Sequence, residues 1–173
     1  MAKPKLLIIW HSRTGASEAM ARAAYDGAMK AIQNHEPNKA EVEVEILAAE
    51  NVVPANILSA TAYIFVCPEN LSSMSGMMKE MFDRCYYPVL GQAEGRAYAT
   101  MIAAGSDGEG AERQIDRIAT GWRLRRVTDS LIVNLQAQSP EQILAPKALS
   151  ITQFNKCSDT GNAMAEGIAL GIF

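Results

Sequence analysis

Cysteine is scarce in this chain, and its few cysteines form no recognisable motif. Three occur among 173 residues, at Cys67, Cys85 and Cys157, and none stands in a C-x-x-C or metal-ligand spacing. An odd number of widely separated cysteines argues against the disulfide framework of a secreted domain and favours free, buried thiols in a reducing compartment. The sequence therefore predicts a cytoplasmic protein without a metal site.

Long apolar runs, blocks of like charge and leader-like segments are also missing. No apolar run approaches the roughly 20 residues that cross a membrane, and the first residues, which include Pro4, do not have the pattern of a signal peptide. The 16 basic and 19 acidic residues leave a net charge of -3 and no basic patch for nucleic acid. A hydrophobic fraction of 49% excludes a disordered chain. We expect one domain, residues 1–173, with no membrane or nucleic-acid partner.

Apolar runs alternate with segments of helical periodicity along the chain. The predicted strands cover residues 6–10, 41–47, 62–67, 97–104 and 127–135, and a helix follows each of them. Such alternation gives a parallel sheet with helices on both faces. The second strand alternates acidic and apolar residues, which is typical of an edge strand. The fold class is therefore α/β, a three-layer sandwich whose five-stranded parallel sheet has the order 2-1-3-4-5.

The helix boundaries carry more specific predictions. The first helix begins near Ser17 and stops near Asn34, and the polar link that contains His35 is solvated. Residues 136–154 form the longest irregular stretch, after which Ser158 or Asp159 caps the last helix.

A stripe of methionine follows the third strand. Met74, Met77, Met78, Met81 and Phe82 carry more apolar surface than a one-sided helix needs. Most of the stripe is expected in the core, and the excess would form the interface of a homodimer or homotetramer.

The turn after the first strand has the composition of an anion site. Residues 6–10 are continuously apolar, and the following turn carries the hydroxyls of Ser12, Thr14 and Ser17 around Gly15. Between a buried strand and a helix, free N–H groups and the helix dipole favour an anion. Gly15 lets the backbone approach closely. This turn is therefore predicted to bind an anion.

Two further loops are expected at the same edge of the sheet. In the order 2-1-3-4-5 the loops after strands one, three and four face one crevice, and they cover residues 11–17, 68–76 and 105–110. All three are rich in Gly, Ser, Thr, Asn or Pro, so they offer backbone donors and hydroxyls with few fixed charges. Such a crevice suits a flat heterocycle with polar edges that carries one phosphate.

Two segments of the chain resemble known families. The turn Ser12–Ser17 resembles the phosphate loop of flavodoxin-like proteins, which holds the phosphate of FMN. A second likeness, to the flavodoxin-like NAD(P)H:quinone oxidoreductases and NADPH-dependent FMN reductases, covers nearly the whole chain in the same order. The residues that carry it are Pro68, Met74-Ser75-Gly76, Lys79, Phe82-Asp83 and Gly161–Gly167.

The resemblance implies an FMN-binding flavoprotein with a flavodoxin-like fold. NAD(P)H would reduce the flavin, and the flavin would reduce a quinone or similar small molecule. Ser12–Ser17 would bind the phosphate, residues 68–72 would line the ring, and residues 104–106 would close the opposite side. The implied cofactor contacts are His11, Ser12, Arg13, Thr14, Gly15, Ala16, Ser17, Pro68, Glu69, Asn70, Leu71, Ser72, Ala104, Gly105 and Ser106.

Neither a catalytic acid or base nor a metal ligand is implied, because the flavin performs the chemistry. His11 is either a flavin contact or a loop residue held by its neighbours. Glu69, if it points inward, would lower the reduction potential of the flavin by its negative charge.

Two other functions stay open. The chain could be a flavodoxin-like electron carrier without reductase activity, or a binding module without a cofactor. The second is favoured by the lack of aromatic residues beside the ring, where Leu71 and residues 106–108 stand instead.

Other α/β classes lack their signature in this sequence. A dinucleotide-binding Rossmann domain needs G-x-G-x-x-G after the first strand, and this turn has one glycine. A receiver domain needs a carboxylate cluster at the strand ends, which His11-Ser12 does not provide. A low-molecular-weight phosphatase needs a cysteine and an arginine in one phosphate loop, and none of the three cysteines meets that requirement.

Overall fold

A computed structural model describes residues 3–33 and 41–173. The predictions for Asn34 and His35 lie outside the described residues. The strands and helices are β1 (Lys5–Trp10), α1 (Ala16–Gln33), β2 (Glu43–Ala48), α2 (Pro54–Ser59), β3 (Ala62–Asn70), β4 (Ser73–Met74), α3 (Gly76–Val89), β5 (Ala97–Ala104), α4 (Glu109–Gly121), β6 (Arg125–Arg126), β7 (Leu131–Asn134), α5 (Pro140–Leu144) and α6 (Ile151–Ala169), with a short 3₁₀ turn at Ala49–Asn51.

The parallel sheet has the predicted strand order. It runs β2-β1-β3-β5, and the fifth position beside β5 is shared by β6 and β7, both parallel to it. The prediction of one continuous fifth strand over 127–135 is wrong, because residues 127–130 leave the sheet. Arg126, the residue before this break, pairs its guanidinium with Glu112, and the hydroxyl of Ser130, the last residue of the break, donates to the same carboxylate at 3.0 Å. Side chains bonded to α4 thus flank the interruption.

Helices cover both faces of the sheet, because successive strand residues point to opposite sides. Phe65 packs in a core with residues of α2, α3 and α4, whereas its neighbours Ile64 and Val66 pack with residues of α1 and α6. The three-layer α/β sandwich is therefore confirmed. Within the described part of the chain, no helix has the length and apolar character needed to span a membrane.

The last helix starts earlier than its predicted cap. The Ser150 hydroxyl accepts from the Gln153 amide at 3.2 Å, and the Gln153 side chain accepts from the Ser150 amide at 2.8 Å. This reciprocal cap begins α6 at Ile151. The prediction of a cap at Ser158 or Asp159 is wrong, because both residues lie inside the helix, where α1 packs against it.

Helices α1 and α6 approach each other through two glycines. A Cβ atom at Gly27 of α1 would lie 1.9 Å from the Ser158 carbonyl oxygen, and one at Gly161 of α6 would lie 1.8 Å from the Ala24 carbonyl oxygen. Both distances are far inside van der Waals contact. The two backbones therefore touch at positions where only hydrogen fits.

The methionine stripe is largely core, as predicted. Met74, Met78, Met81 and Phe82 are buried, and Met77 is partly exposed. The homodimer or homotetramer interface stays a prediction. All three cysteines are free and buried, and burial raises the pKa of the Cys67 thiol to about 12, so this thiol is not a nucleophile at neutral pH.

Arg96 holds the end of α2 against the sheet, which leads to a stability prediction. Its guanidinium donates to the carbonyl oxygens of Ile57 at 2.8 Å and Ala60 at 2.7 Å, and to the Tyr63 hydroxyl at 3.0 Å. Arg96→Met removes these hydrogen bonds from a charged donor, although the Ile57 carbonyl still accepts from the Tyr63 hydroxyl at 2.8 Å. We expect the free energy of unfolding to fall by about 2–3 kcal/mol in urea titrations.

Arg113→Met is the matched control for this change. Among the described residues, the Arg113 side chain pairs only with Glu109 on the surface of α4, and both side chains are mostly exposed. An exposed pair is worth about 0–1 kcal/mol. Equal losses in the two variants would show that the Arg96 contacts do not support the fold.

Candidate functional site

A cleft opens at the carboxyl ends of β1, β3 and β5. Its volume is about 670 Å³, within the usual range for a small-molecule site. Residues from all three predicted loops line it, together with several that were not predicted. The predicted contacts that line it are Ser12, Arg13, Thr14, Ala16, Ser17, Pro68, Glu69, Asn70, Leu71, Ser72, Ala104, Gly105 and Ser106. The others are Ala103, Leu135, Ala137, Ile143, Leu144 and Lys147.

The loop between β1 and α1 has the geometry of an anion site. Gly15 adopts a φ of 97°, which a residue with a side chain rarely adopts. The Gly15 amide donates to the Ser12 hydroxyl at 3.0 Å, and the Gly15 carbonyl accepts the first helical bond from Ala19 at 3.0 Å. Amides of the following turn have no partner within the helix, so this helix start presents free donors to the cleft.

Ser17 lies in this first turn with its hydroxyl buried. The residue is 1% exposed, and its Oγ finds no hydrogen-bond partner in the described part of the chain. Buried hydroxyls are nearly always hydrogen-bonded, so an exception needs an explanation. Because Ser17 also lines the cleft, the missing partner can be an oxygen of a bound anion.

The segment after β3 is a hairpin, not the predicted polar loop. β3 continues to Asn70, and β4 pairs back antiparallel, with Glu69 opposite Met74. The two turn residues, Leu71 and Ser72, have φ values of 52° and 57°. Positive φ at both central positions fits a tight hairpin turn, but neither residue signals it. Leu71 stands at the tip, fully exposed.

Glu69 is tied to α4. One carboxylate oxygen accepts from the Gly108 amide and the other from the Ala111 amide, each at 3.0 Å. The negative charge thus meets the positive end of the helix dipole. Glu69 also lines the cleft, so its effect on the reduction potential stays a prediction.

The third loop is shorter than predicted and is crossed by another segment. α4 begins at Glu109, after Gly108 with a φ of 91°, so the turn covers residues 105–108. A Cβ atom at Gly105 would lie 2.6 Å from the Ala137 carbonyl oxygen, and the Asn134 side chain donates to the Ser106 carbonyl. Gly105 is therefore required where the later chain passes over it.

That later chain, residues 135–147, forms a strap across the edge of the sheet. The Ala137 amide donates to Gly105 at 2.9 Å at one end, and the Lys147 amide donates to Thr14 at 2.7 Å at the other. Between them, α5 exposes Ile143 and Leu144. The sequence predicted no structure here, although Ser139 and Gln142 form the reciprocal cap of α5, and their S-x-x-Q spacing was a signal for it.

Two predicted contacts do not line the cleft. His11 Nδ1 lies 2.9 Å from the buried Ser75 hydroxyl, and its amide donates to Val66 at 3.0 Å. Partial burial lowers the pKa of His11. Of the two interpretations of this residue, the geometry favours a side chain held by its neighbours. Gly15 contributes through the shape of the turn.

Comparison with solved structures establishes the fold class. A flavodoxin from the domain Archaea superposes with a TM-score of 0.73 at 16% identity, covering 95% of this chain and 98% of that one. A WrbA-like flavodoxin from Agrobacterium tumefaciens gives 0.67 at 19% identity, covering 98% and 99%. Rubredoxin oxygen:oxidoreductase from Desulfovibrio gigas gives 0.71 at 14% identity, over 96% of this chain and 37% of that one. The chain has the flavodoxin-like fold.

A family comparison adds a second finding. Residues 49–129 match the family described as NADPH-dependent FMN reductase, whereas a comparison with curated protein sequences finds no significant match. Together with the fold, this match supports an FMN-binding flavoprotein of the oxidoreductase class. The loop around Gly15 and Ser17 fits the phosphate of such a cofactor.

Proposed function

We propose that the protein is an FMN-dependent oxidoreductase in which NAD(P)H reduces the flavin and the flavin reduces a quinone or a similar small acceptor. The observation that carries the FMN proposal is the Ser17 hydroxyl, buried at the start of α1 without a partner in the described chain. Leaving such a group unpaired costs about 1–3 kcal/mol. A phosphate oxygen beside it would accept a hydrogen bond from this hydroxyl.

The chain would bind and orient the cofactor, and FMN would supply the electron-transfer chemistry. Amides at the start of α1 and the hydroxyls of Ser12 and Thr14 would hold the phosphate. The ring would lie toward the hairpin and Gly105, where Asn70 and backbone groups offer polar contacts to its edges.

The apolar walls of the cleft support a quinone-like acceptor. Leu71, Leu144 and Ile143 line the cleft and are 100%, 76% and 51% exposed. Exposed apolar side chains that gather into one patch often mark a ligand-binding surface. They would cover a flat ring system in place of the aromatic residues that the sequence lacks there.

The direct test is the visible absorption spectrum of the purified protein after FMN is added and the excess removed. We expect retained flavin bands with a changed shape and quenched fluorescence, followed by oxidation of NADH or NADPH when a quinone is supplied. Flavin retention without nicotinamide oxidation would make the protein an electron carrier. No retention at large FMN excess would remove both flavoprotein functions.

Ser17→Ala tests the role of the unpaired Ser17 hydroxyl through two measurements, the stability of the FMN-free protein and its affinity for FMN. Without FMN the variant should be as stable as the parent or up to about 1 kcal/mol more stable, because an unpaired hydroxyl is gone. Its FMN dissociation constant should rise about tenfold, because a hydrogen bond to a charged group is lost.

Thr100→Val is the control, since the Thr100 hydroxyl in β5 is also buried without a partner in the described chain but does not line the cleft. It should leave FMN affinity unchanged. Equal affinity losses in the two variants would contradict the assigned role of Ser17.

A further inference from the structure

The charged side chains that line the cleft differ in what they already bind. They are Arg13, Glu69 and Lys147. Glu69 is occupied by two amides of α4. The Lys147 ammonium donates to backbone carbonyls at the end of α5, including those of Ile143 at 3.2 Å and Ala145 at 2.5 Å. The charges of Glu69 and Lys147 therefore each bind backbone groups at the end of a helix. Arg13 is the remaining charged residue of the cleft lining.

Arg13 is a cation without a partner among the described residues. It makes no hydrogen bond or ion pair with another residue of the described ranges, and it is exposed to solvent at the cleft. Its charge also acts, as a minor cause, to lower the pKa of His11. A guanidinium presents several donors in a planar fork that matches phosphate oxygens. Arg13 is therefore available to an anion that comes from solution.

The resemblance assigned Arg13 to the phosphate in the loop, but the loop offers other groups that can hold that phosphate. The loop site is built from backbone amides and hydroxyls, and one of these hydroxyls, that of Ser17, is fully buried. A helix start of this kind binds a phosphate without a cationic side chain. Arg13, by contrast, is exposed to solvent at the cleft, where a second ligand would enter.

We infer that Arg13 binds a phosphate group of the nicotinamide donor. The inference rests on the proposed function, because the donor is the phosphate-bearing substrate of that reaction. The phosphate is either the 2′-phosphate of NADPH or the pyrophosphate that NADPH and NADH share. In the first case Arg13 selects NADPH over NADH, and in the second it increases the affinity for both donors.

The test measures the binding of two donor fragments, adenosine 2′,5′-bisphosphate and ADP, to the FMN-loaded protein by titration calorimetry. For Arg13→Gln we expect the dissociation constant of at least one fragment to rise about tenfold or more. A rise for the bisphosphate alone identifies the 2′-phosphate. A rise for ADP, with or without the bisphosphate, identifies the pyrophosphate, because both fragments carry its first phosphate and only ADP carries the second. Arg13→Lys should recover part of the loss, because it keeps the charge and loses the fork.

The affinity for FMN separates this inference from its alternative, in which Arg13 binds the phosphate of FMN. Arg13→Gln should change the FMN dissociation constant less than about threefold. Arg117→Gln removes an exposed arginine of α4 that does not line the cleft. This control should leave the dissociation constants of FMN and of both fragments unchanged. The inference is overturned if FMN affinity falls as much as fragment affinity, or if neither fragment binds more weakly to Arg13→Gln than to the parent.

Failure of the proposed function can be distinguished from failure of the inference about Arg13. A parent protein that retains no FMN contradicts the proposed function whatever the fragments do. The two fragments can be titrated into that FMN-free protein as well. Weaker binding to Arg13→Gln still supports a phosphate contact at Arg13, and equal binding overturns it.

Discussion

Replacing Thr14 by aspartate is expected to abolish FMN binding at concentrations that saturate the parent protein. Thr14 lines the cleft within the loop that begins α1. A carboxylate there would lie a few ångströms from a bound phosphate. Two unit charges about 4 Å apart repel by about 4 kcal/mol near a protein surface. We therefore expect the FMN dissociation constant to rise about 100-fold or more, measured by quenching of flavin fluorescence.

Thr14→Asn is the matched control, because asparagine has the size of aspartate without the charge. Its FMN dissociation constant should stay within about tenfold of that of the parent, because the variant loses a hydroxyl donor but gains an amide donor. The Thr14 carbonyl, which accepts from Lys147, is unchanged in both variants. If the aspartate and asparagine variants bound FMN equally, the phosphate would not lie in this loop.

Adding one methyl group at Gly161 is expected to have the largest effect on stability. The new Cβ would lie 1.8 Å from the Ala24 carbonyl oxygen, and a backbone atom of a long helix cannot move aside alone. Helices α1 and α6 would have to separate, so we expect Gly161→Ala to lower the free energy of unfolding by about 3 kcal/mol or more in urea titrations.

Gly121→Ala makes the same chemical change without the clash. Gly121 is the last residue of α4, and a Cβ there would meet nothing within 4 Å. Alanine is the better helix former, so this variant should be unchanged or up to about 1 kcal/mol more stable. A loss at Gly161 no greater than at Gly121 would mean that the helices can separate at little cost.

The sequence predicted the edge of the sheet where the site lies because local patterns determine it. Apolar runs locate the parallel strands, and the strand order brings the ends of β1, β3 and β5 together. Ser12, Asn70 and Gly105 accordingly line one cleft. The composition of each loop was enough to predict polar, weakly charged surroundings.

The parts that the sequence did not predict depend on contacts between distant residues. Leu71 and Ser72 form a tight turn without the usual Asn or Gly, because the hairpin is tied to α4 through Glu69 and through the Ser73 hydroxyl, which donates to Gln114 at 2.7 Å. The glycine contacts between α1 and α6 likewise exist only once the last helix has packed.

The strap has a consequence for the order in which the protein folds. It joins Lys147 to Thr14, and contacts between residues so far apart in sequence carry a large loop-closure cost and form late. The phosphate loop and the first strands can assemble before the last wall of the cleft exists. FMN would then bind only after the strap has completed the cleft. Its binding would shift the folding equilibrium toward the state in which both ends of the strap are attached.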